Sequence, residues 1–160
     1  MLEIRPLTRG DWAAVKTIWA DGIDTRNATF ETETPSWESF DASRHAEHRL
    51  VAILDGEVVG WAALSPVSRR ACYAGVAENS VYVSASARGQ GIGRALMEAL
   101  VASAGSSGIW TIQTNVFPEN EASVALHERV GFRVVGRRER IAQLDGVWRD
   151  TILLELRLEP

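Results

Sequence analysis

The sequence of 160 residues predicts a mixed α/β fold, one sheet flanked by helices. Two observations predict it. The elements run β-α-α-β-β-β-α-β-α-β-β, which is neither the strict alternation of a doubly wound sheet nor the succession of strands of a barrel. A glycine-rich loop also stands at one strand-to-helix junction, where such folds place ligands. With 46% hydrophobic and 24% charged residues, the chain reads as a single domain, 1–160, long enough to bury a substantial core.

Each element has a local reason. Residues 2–7 (LEIRPL) alternate as a strand does. Thr8 is a helix N-cap with Asp11 three residues on in a capping-box position, and residues 9–24 then place Trp12, Val15, Ile18, Trp19 and Ile23 at helical spacing. Residues 26–35 are polar and turn-rich, and Ser36 caps a short second helix. Asp55-Gly56 separates two β-branched runs, 50–54 and 57–64, a strong hairpin signal. Residues 78–84 (ENSVYVS) form a strand that leads into ARGQGIG (87–93) and a helix over 94–105. A strand over 109–116, a helix over 120–130 and two closing strands, 132–140 and 147–158, complete the chain, the last two joined at Asp145-Gly146.

Composition excludes several functions. A net charge of −4 argues against a broad nucleic-acid-binding surface. No apolar run reaches the ~20 residues of a membrane helix, and the N-terminus lacks the apolar core of a signal peptide, so the cytoplasm is expected, with no membrane or nucleic-acid partner. The single cysteine, Cys72, allows neither an intramolecular disulfide nor a Cys-based zinc site and reads as a small apolar filler. His45 and His48 share helical spacing without a third ligand and read as surface residues. His127-Glu128 lacks the second histidine of H-E-x-x-H, so no metal is expected. The six tryptophans are scattered, as core or pocket walls would be.

The most specific segment is Val81-Tyr82-Val83 followed, after a short spacer, by Arg88-Gly89-Gln90-Gly91-Ile92-Gly93. Three glycines in five residues let the backbone approach a ligand closely, and the N-terminus of the following helix offers free N–H groups suited to a pyrophosphate. Arg88 and Arg94 can add charge-assisted contacts. The spacing is wrong for a dinucleotide fingerprint, which needs glycine at position 94 or 96, and no Gly-Lys-Ser/Thr exists for a nucleotide-triphosphate loop.

The strand VYVS followed by R-x-x-G-x-G and a helix resembles the coenzyme A-binding motif of the GCN5-related N-acetyltransferase (GNAT) superfamily. The resemblance covers nearly all of residues 2–158. It implies a mostly antiparallel sheet of about seven strands with about four helices, splayed between strands four and five. It implies acetyl-CoA as co-substrate, with the edge of strand 81–83 pairing its pantetheine arm and residues 88–94 holding its diphosphate. Asn120, Ser123, His127 and Gly131 line one stripe of the 120–130 helix. The superfamily pattern N-x-x-A/S-x-x-x-Y-x-x-x-G-F appears here with His127 in place of tyrosine, which resembles the phosphinothricin and methionine sulfone/sulfoximine acetyltransferases.

That resemblance implies roles. His127 protonates the departing thiolate, since an imidazole of pKa ~6.5 carries a proton to give near neutrality; on residues alone it reads as a half-buried helix histidine. Asn120 and Ser123 bind the coenzyme. Glu78, in A-E-N-S-V-Y-V, takes the amine proton directly or through water; on residues alone it is a strand-end carboxylate in solvent. A backbone N–H of strand 81–83 faces the oxyanion. The loop around Ala28, Thr29 and Phe30 covers the acceptor pocket, while Ala71, Cys72 and Tyr73 contact substrate through their backbone and Arg69 or Arg70 can bind its carboxylate. The expected reaction is direct acetyl transfer to the amine of a small amino-acid-like molecule in a ternary complex. A homodimer is expected, with the closing strand TILLELRL contributing. The alternatives are acetylation of a protein N-terminus or lysine, and a non-catalytic acetyl-CoA sensor.

Overall fold

The structure is a computed structural model that describes residues 1–159. Its first strand, β1 (Leu2–Pro6), turns into its first helix, α1 (Trp12–Asp24), around Asp11. The Asp11 carboxylate accepts the Thr8 backbone N–H at 2.8 Å and two bonds from the Arg5 guanidinium, also at 2.8 Å. The hydrogen bond from Arg5 holds this carboxyl down at about 2. The expected capping box is therefore present. In α2 (Trp37–Ser43), Ser36 Oγ accepts the Ser39 N–H at 3.1 Å, as its N-cap position predicts. The strands β2 (Arg49–Leu54) and β3 (Glu57–Pro66) follow, joined by Asp55 and Gly56 at φ 51° and 84°. Those left-handed values are what a two-residue hairpin turn requires.

The remaining elements are β4 (Val76–Val83), α3 (Ile92–Gly105), β5 (Thr111–Val116), α4 (Glu121–Arg129), β6 (Arg133–Leu144) and β7 (Val147–Arg157). The seven strands form one sheet in the order β1-β2-β3-β4-β5-β7-β6. Neighbours are antiparallel except β4 and β5, which run parallel.

Each face of the sheet carries its own core. On one side α1 and α2 pack Val15, Ile18, Trp19 and Phe40 onto Val51, Trp61 and Ala63. Four of the tryptophans (12, 19, 37 and 61) meet around Phe40 here, and Tyr82 stacks on Trp61 at 5.1 Å with an interplanar angle of 12°. On the other side α3 brings Leu96, Met97 and Leu100 onto Ala52, Ala62, Leu64 and Ile112, and α4 contributes Val124 and Leu126. Alternation along β2 and β3 makes this two-sided burial possible, since successive side chains point to opposite faces.

Two expectations are corrected. His48 is not a surface residue: it is 3% exposed, its ring nitrogens each 2.7 Å from a serine hydroxyl of α3 or its C-terminal end, Ser103 and Ser107. Cys72 is not an apolar filler, because it lies exposed on a 3-10 turn, 71–73, ahead of β4. Residues 151–157 of TILLELRL lie in β7, paired on both sides by β5 and β6. At that end of the sheet the outer strand is β6, and exposed apolar side chains lie on the β6–β7 hairpin, at Val134, Val135, Ile141, Val147 and Trp148. Among the described residues no helix is long and apolar enough to cross a membrane.

Candidate active site

β4 pairs with β5 over only three rungs, Val76 with Thr111, Ala77 with Ile112 and Glu78 with Gln113. Beyond Glu78 the two strands part, as expected for this fold. Residues 79–83 keep their pairing to β3, but on the β5 side their backbone groups have no strand partner among the described residues. A strand edge left open in a sheet interior is a template for an extended ligand.

Two clefts open along this edge. One, of about 290 Å³, is lined by Glu78, Asn79, Asn115, Phe117, His127 and Thr151 and covered by Ala28, Thr29, Phe30 and Glu31. The other, of about 280 Å³, runs between Gly22, Asn27, Val83, Arg88 and Leu126. They share Ala28, Val81, Tyr82, Asn120 and Ser123, so they meet at the open edge of β4. Tyr82 is wedged against α1: a Cβ on Gly22 would lie 2.7 Å from its ring. Burial pushes the Tyr82 hydroxyl up to about 12, so the phenol stays protonated and neutral at working pH.

The glycine loop ends the second cleft. Helix α3 begins at Ile92, two residues earlier than the sequence predicts, with Gly91 as its N-cap at φ 79°. Its first internal bond runs from the Ala95 N–H to the Gly91 carbonyl. The N–H groups of Ile92, Gly93 and Arg94 have no acceptor among the described residues, and no side chain caps the helix. Gly89 and Gly91 both need positive φ, and a Cβ on either would meet nothing within 4 Å, so the backbone there is open to a ligand. Gly93 serves packing: its Cβ would lie 3.2 Å from Leu126. Arg94 binds Glu98 through Nε at 2.7 Å, while Arg88 and Gln90 are exposed beside the loop. Free helix N–H groups, an open strand edge and a groove joining them fit the diphosphate and amide-rich arm of coenzyme A.

Glu78 sits at the fork. Its Oε1 accepts the side-chain amides of Gln113 at 3.2 Å and Asn115 at 3.1 Å, which fix the carboxylate at the cleft wall. Neither amide was singled out in the sequence, although Gln113 and Asn115 alternate on one face of a central strand, where apolar residues are usual. His127 is 1% exposed. Its Nδ1 lies 2.7 Å from the Ser123 carbonyl and its Nε2 lies 3.0 Å from Asn79 Nδ2. A carbonyl can only accept, so Nδ1 carries the proton, and Nε2 accepts from Asn79. Burial pushes the imidazole below its ordinary value. The neutral ring therefore has no free proton to offer in the resting state, which the sequence reading did not foresee.

Asn79 is the residue that sequence reasoning missed here; it is 6% exposed, and its Oδ1 has no partner among the described residues. Replacing it with aspartate puts a negative charge beside Nε2 and should raise the His127 pKa by about one unit or more. Histidine ring titration by NMR checks this, and replacement by alanine should give no such rise.

Phe30 lines the first cleft, edge-on to Phe117 with centroids 4.9 Å apart. Asn120 and Ser123 line both clefts, and the Asn120 side chain also caps α4 by accepting the Ser123 N–H at 3.2 Å. Ala71, Cys72 and Tyr73 lie on the turn ahead of β4. They are exposed, as are Arg69 and Arg70, and none of the five lines either cleft. The reason is local: the turn they form lies before the first paired rung of β4, and Arg70 packs over the Tyr73 ring at 5.6 Å rather than over the cleft. Among the described residues no group of three or more metal-ligating side chains forms.

The fold and the two joined clefts define a transferase that takes an acyl group from coenzyme A and passes it to an acceptor. The chain belongs to the Acetyltransferase (GNAT) family, whose model matches residues 12–132, and it is an acetyl-CoA-dependent acyltransferase. It is 30% identical over 99% of its length to the L-methionine sulfoximine/L-methionine sulfone acetyltransferase of Pseudomonas paraeruginosa, covering 95% of that protein. The solved phosphinothricin acetyltransferase of Sinorhizobium meliloti, in complex with acetyl-CoA, superposes with a TM-score of 0.87 at 26% identity, over 98% of this chain and 88% of that one. A ribosomal-protein-alanine N-acetyltransferase from Brucella melitensis is similar too, with a TM-score of 0.87 and 29% identity over 98% and 99% of the two chains.

Proposed function

We propose that this protein acetylates the amine of a small amino-acid-like acceptor of the methionine sulfone, methionine sulfoximine or phosphinothricin type, by direct transfer within a ternary complex. The observation that carries this reading is the covered cleft of about 290 Å³ with the Glu78 carboxylate in its wall and the open edge of β4 at its inner end. A cleft of that size fits an amino acid, and the roof at residues 28–31 narrows the path of a peptide chain.

Acetyl-CoA supplies the activated acetyl group. The N–H groups at the start of α3 with Arg88 and Arg94 hold its diphosphate, and residues 81–83 hold its arm against Asn120 and Ser123. Glu78 takes a proton from the ammonium group, because only the free amine can attack. His127 starts neutral with Nε2 accepting from Asn79, so the Asn79 amide must first turn away; Nε2 then accepts the second amine proton and passes it to the departing sulfur. The bookkeeping is consistent: the ammonium group loses two protons, one reaches the thiol and one leaves with the base.

The β6–β7 hairpin, with its exposed Val134, Val135, Ile141, Val147 and Trp148, is the surface that supports a homodimer; an exposed apolar patch of this kind marks contact sites. The proposed setting is the cytoplasm. The likeness to a ribosomal-protein-alanine N-acetyltransferase favours a second reading, acetylation of a protein N-terminus. A thiol-release assay with acetyl-CoA separates the two. Turnover of methionine sulfone, methionine sulfoximine or phosphinothricin, with none of alanine-initiated peptides, is the expected result. Turnover of the peptides alone would overturn the small-acceptor reading.

A further inference from the structure

We propose that Arg149 is a positioning residue that fixes the roof of the acceptor cleft and thereby sets acceptor selectivity, an inference that rests on the small-acceptor reading of that cleft. Arg149 lies on β7, where it pairs with Ala142 of β6, and it lines neither cleft. Its side chain is only 15% exposed. Nη1 donates to the Arg26 carbonyl at 2.9 Å and Nη2 to Asn27 Oδ1 at 3.2 Å, with Glu119 Oε2 3.4 Å away. The guanidinium lies 3.9 Å from the centroid of the Phe117 ring, within the range of a cation–π contact. The same ring receives Phe30 from the roof, edge-on.

Asn27 is held twice. Its side-chain oxygen faces Arg149, and its backbone carbonyl accepts Asn120 Nδ2 at 3.1 Å. Arg26, at a left-handed φ of 57°, adds an ion pair to Asp145 at 3.3 Å. These contacts matter because of where they fall. Residues 28–31 form the roof, and they hang from α1, which packs on the β1–β4 half of the sheet. Arg149, Phe117 and Asn120 belong to the β5-β7-β6 half and to α4. The two halves are paired over only three rungs and diverge beyond Glu78, so the arginine ties the roof across the gap that the ligands enter. Arginine suits the task because one planar fork serves two acceptors while its face covers an aromatic ring; lysine, a point donor, cannot do all three.

The test compares wild type with Arg149→Leu, which keeps an apolar stem over Phe117, and Arg149→Lys. The first readout needs no substrate: trypsin cleavage at the Arg26–Asn27 bond, followed by mass spectrometry of the fragments. The expected result is faster cleavage by about tenfold in Arg149→Leu, since a charge-assisted hydrogen bond to that carbonyl is lost. The second readout is kinetic. KM for the acceptor should rise about tenfold or more, kcat should change by less than about threefold, and calorimetric affinity for acetyl-CoA, which is held mainly at the α3 N-terminus, should stay within about threefold. Arg149→Lys should fall between the two. Unchanged cleavage at residue 26 with an unchanged acceptor KM would overturn the proposal. So would equal losses in acceptor KM, kcat and acetyl-CoA affinity alongside a lowered Tm, which is the pattern of a merely structural strut. If the wild type turned over no amino-acid amine, the small-acceptor reading would fail, while the cleavage readout would still report on the tie.

Discussion

Glu78→Gln should lower kcat by about 10²- to 10³-fold at neutral pH, the usual contribution of a positioned general base, while acetyl-CoA affinity stays near wild type. The reason is proton accounting. An α-amine has a pKa of ~8 and reaches the site mostly as an ammonium ion, which has no lone pair. The carboxamide cannot take its proton, but it can still donate to or accept from Gln113 and Asn115, so the geometry of the fork survives. The sign of the pH dependence follows. The defect should be greatest at low pH and shrink as pH rises past the amine's own pKa, where free amine arrives from solution without help. A pH–rate profile checks both points, and a profile parallel to wild type would remove Glu78 as the base.

Gly91→Glu should weaken acetyl-CoA binding by about 100-fold or more, measured by calorimetry. Two effects act together. The glycine sits at φ 79° as the N-cap of α3, a conformation that costs a residue with a Cβ roughly 1–2 kcal/mol. The new carboxylate also lands beside the free N–H groups of Ile92, Gly93 and Arg94, where it satisfies them itself and repels the diphosphate. Nothing lies within 4 Å of the added Cβ, so the side chain meets no clash; the strain at positive φ lowers stability modestly, and the larger loss should appear in binding. Gly91→Ala separates the terms, because it carries the conformational cost without the charge and should lose much less affinity.

The parts of this molecule that were legible in the sequence are those set by local chemistry. Asp55-Gly56 dictated its hairpin, Ser36 its cap, and Asp11 its capping box, since each acts within a few residues. The glycine loop was legible because positive φ and close approach leave few other residue choices. The contributions that needed the fold are all long-range. His48 looked like a surface histidine because its partners, Ser103 and Ser107, lie over fifty residues away. Asn79 looked like one more polar residue in a strand until α4 placed His127 against it. Gln113 and Asn115 acquired meaning only when the parallel rungs of β4 and β5 set them beside Glu78.

The protonation of His127 was illegible for a related reason. Sequence supplies an imidazole with its ordinary pKa, whereas burial lowers it and the Ser123 carbonyl chooses which nitrogen holds the hydrogen. In the proposed mechanism, that choice makes the histidine a group that must collect a proton before giving one.

In the proposed function the main-chain N–H groups at the start of α3 and the open edge of β4 hold acetyl-CoA. Titration of ¹⁵N-labelled protein with acetyl-CoA, following the backbone amides, checks this. The largest shifts should fall on residues 81–83 and 89–94. Saturable binding that left the amides of Ile92, Gly93 and Arg94 unmoved would contradict it.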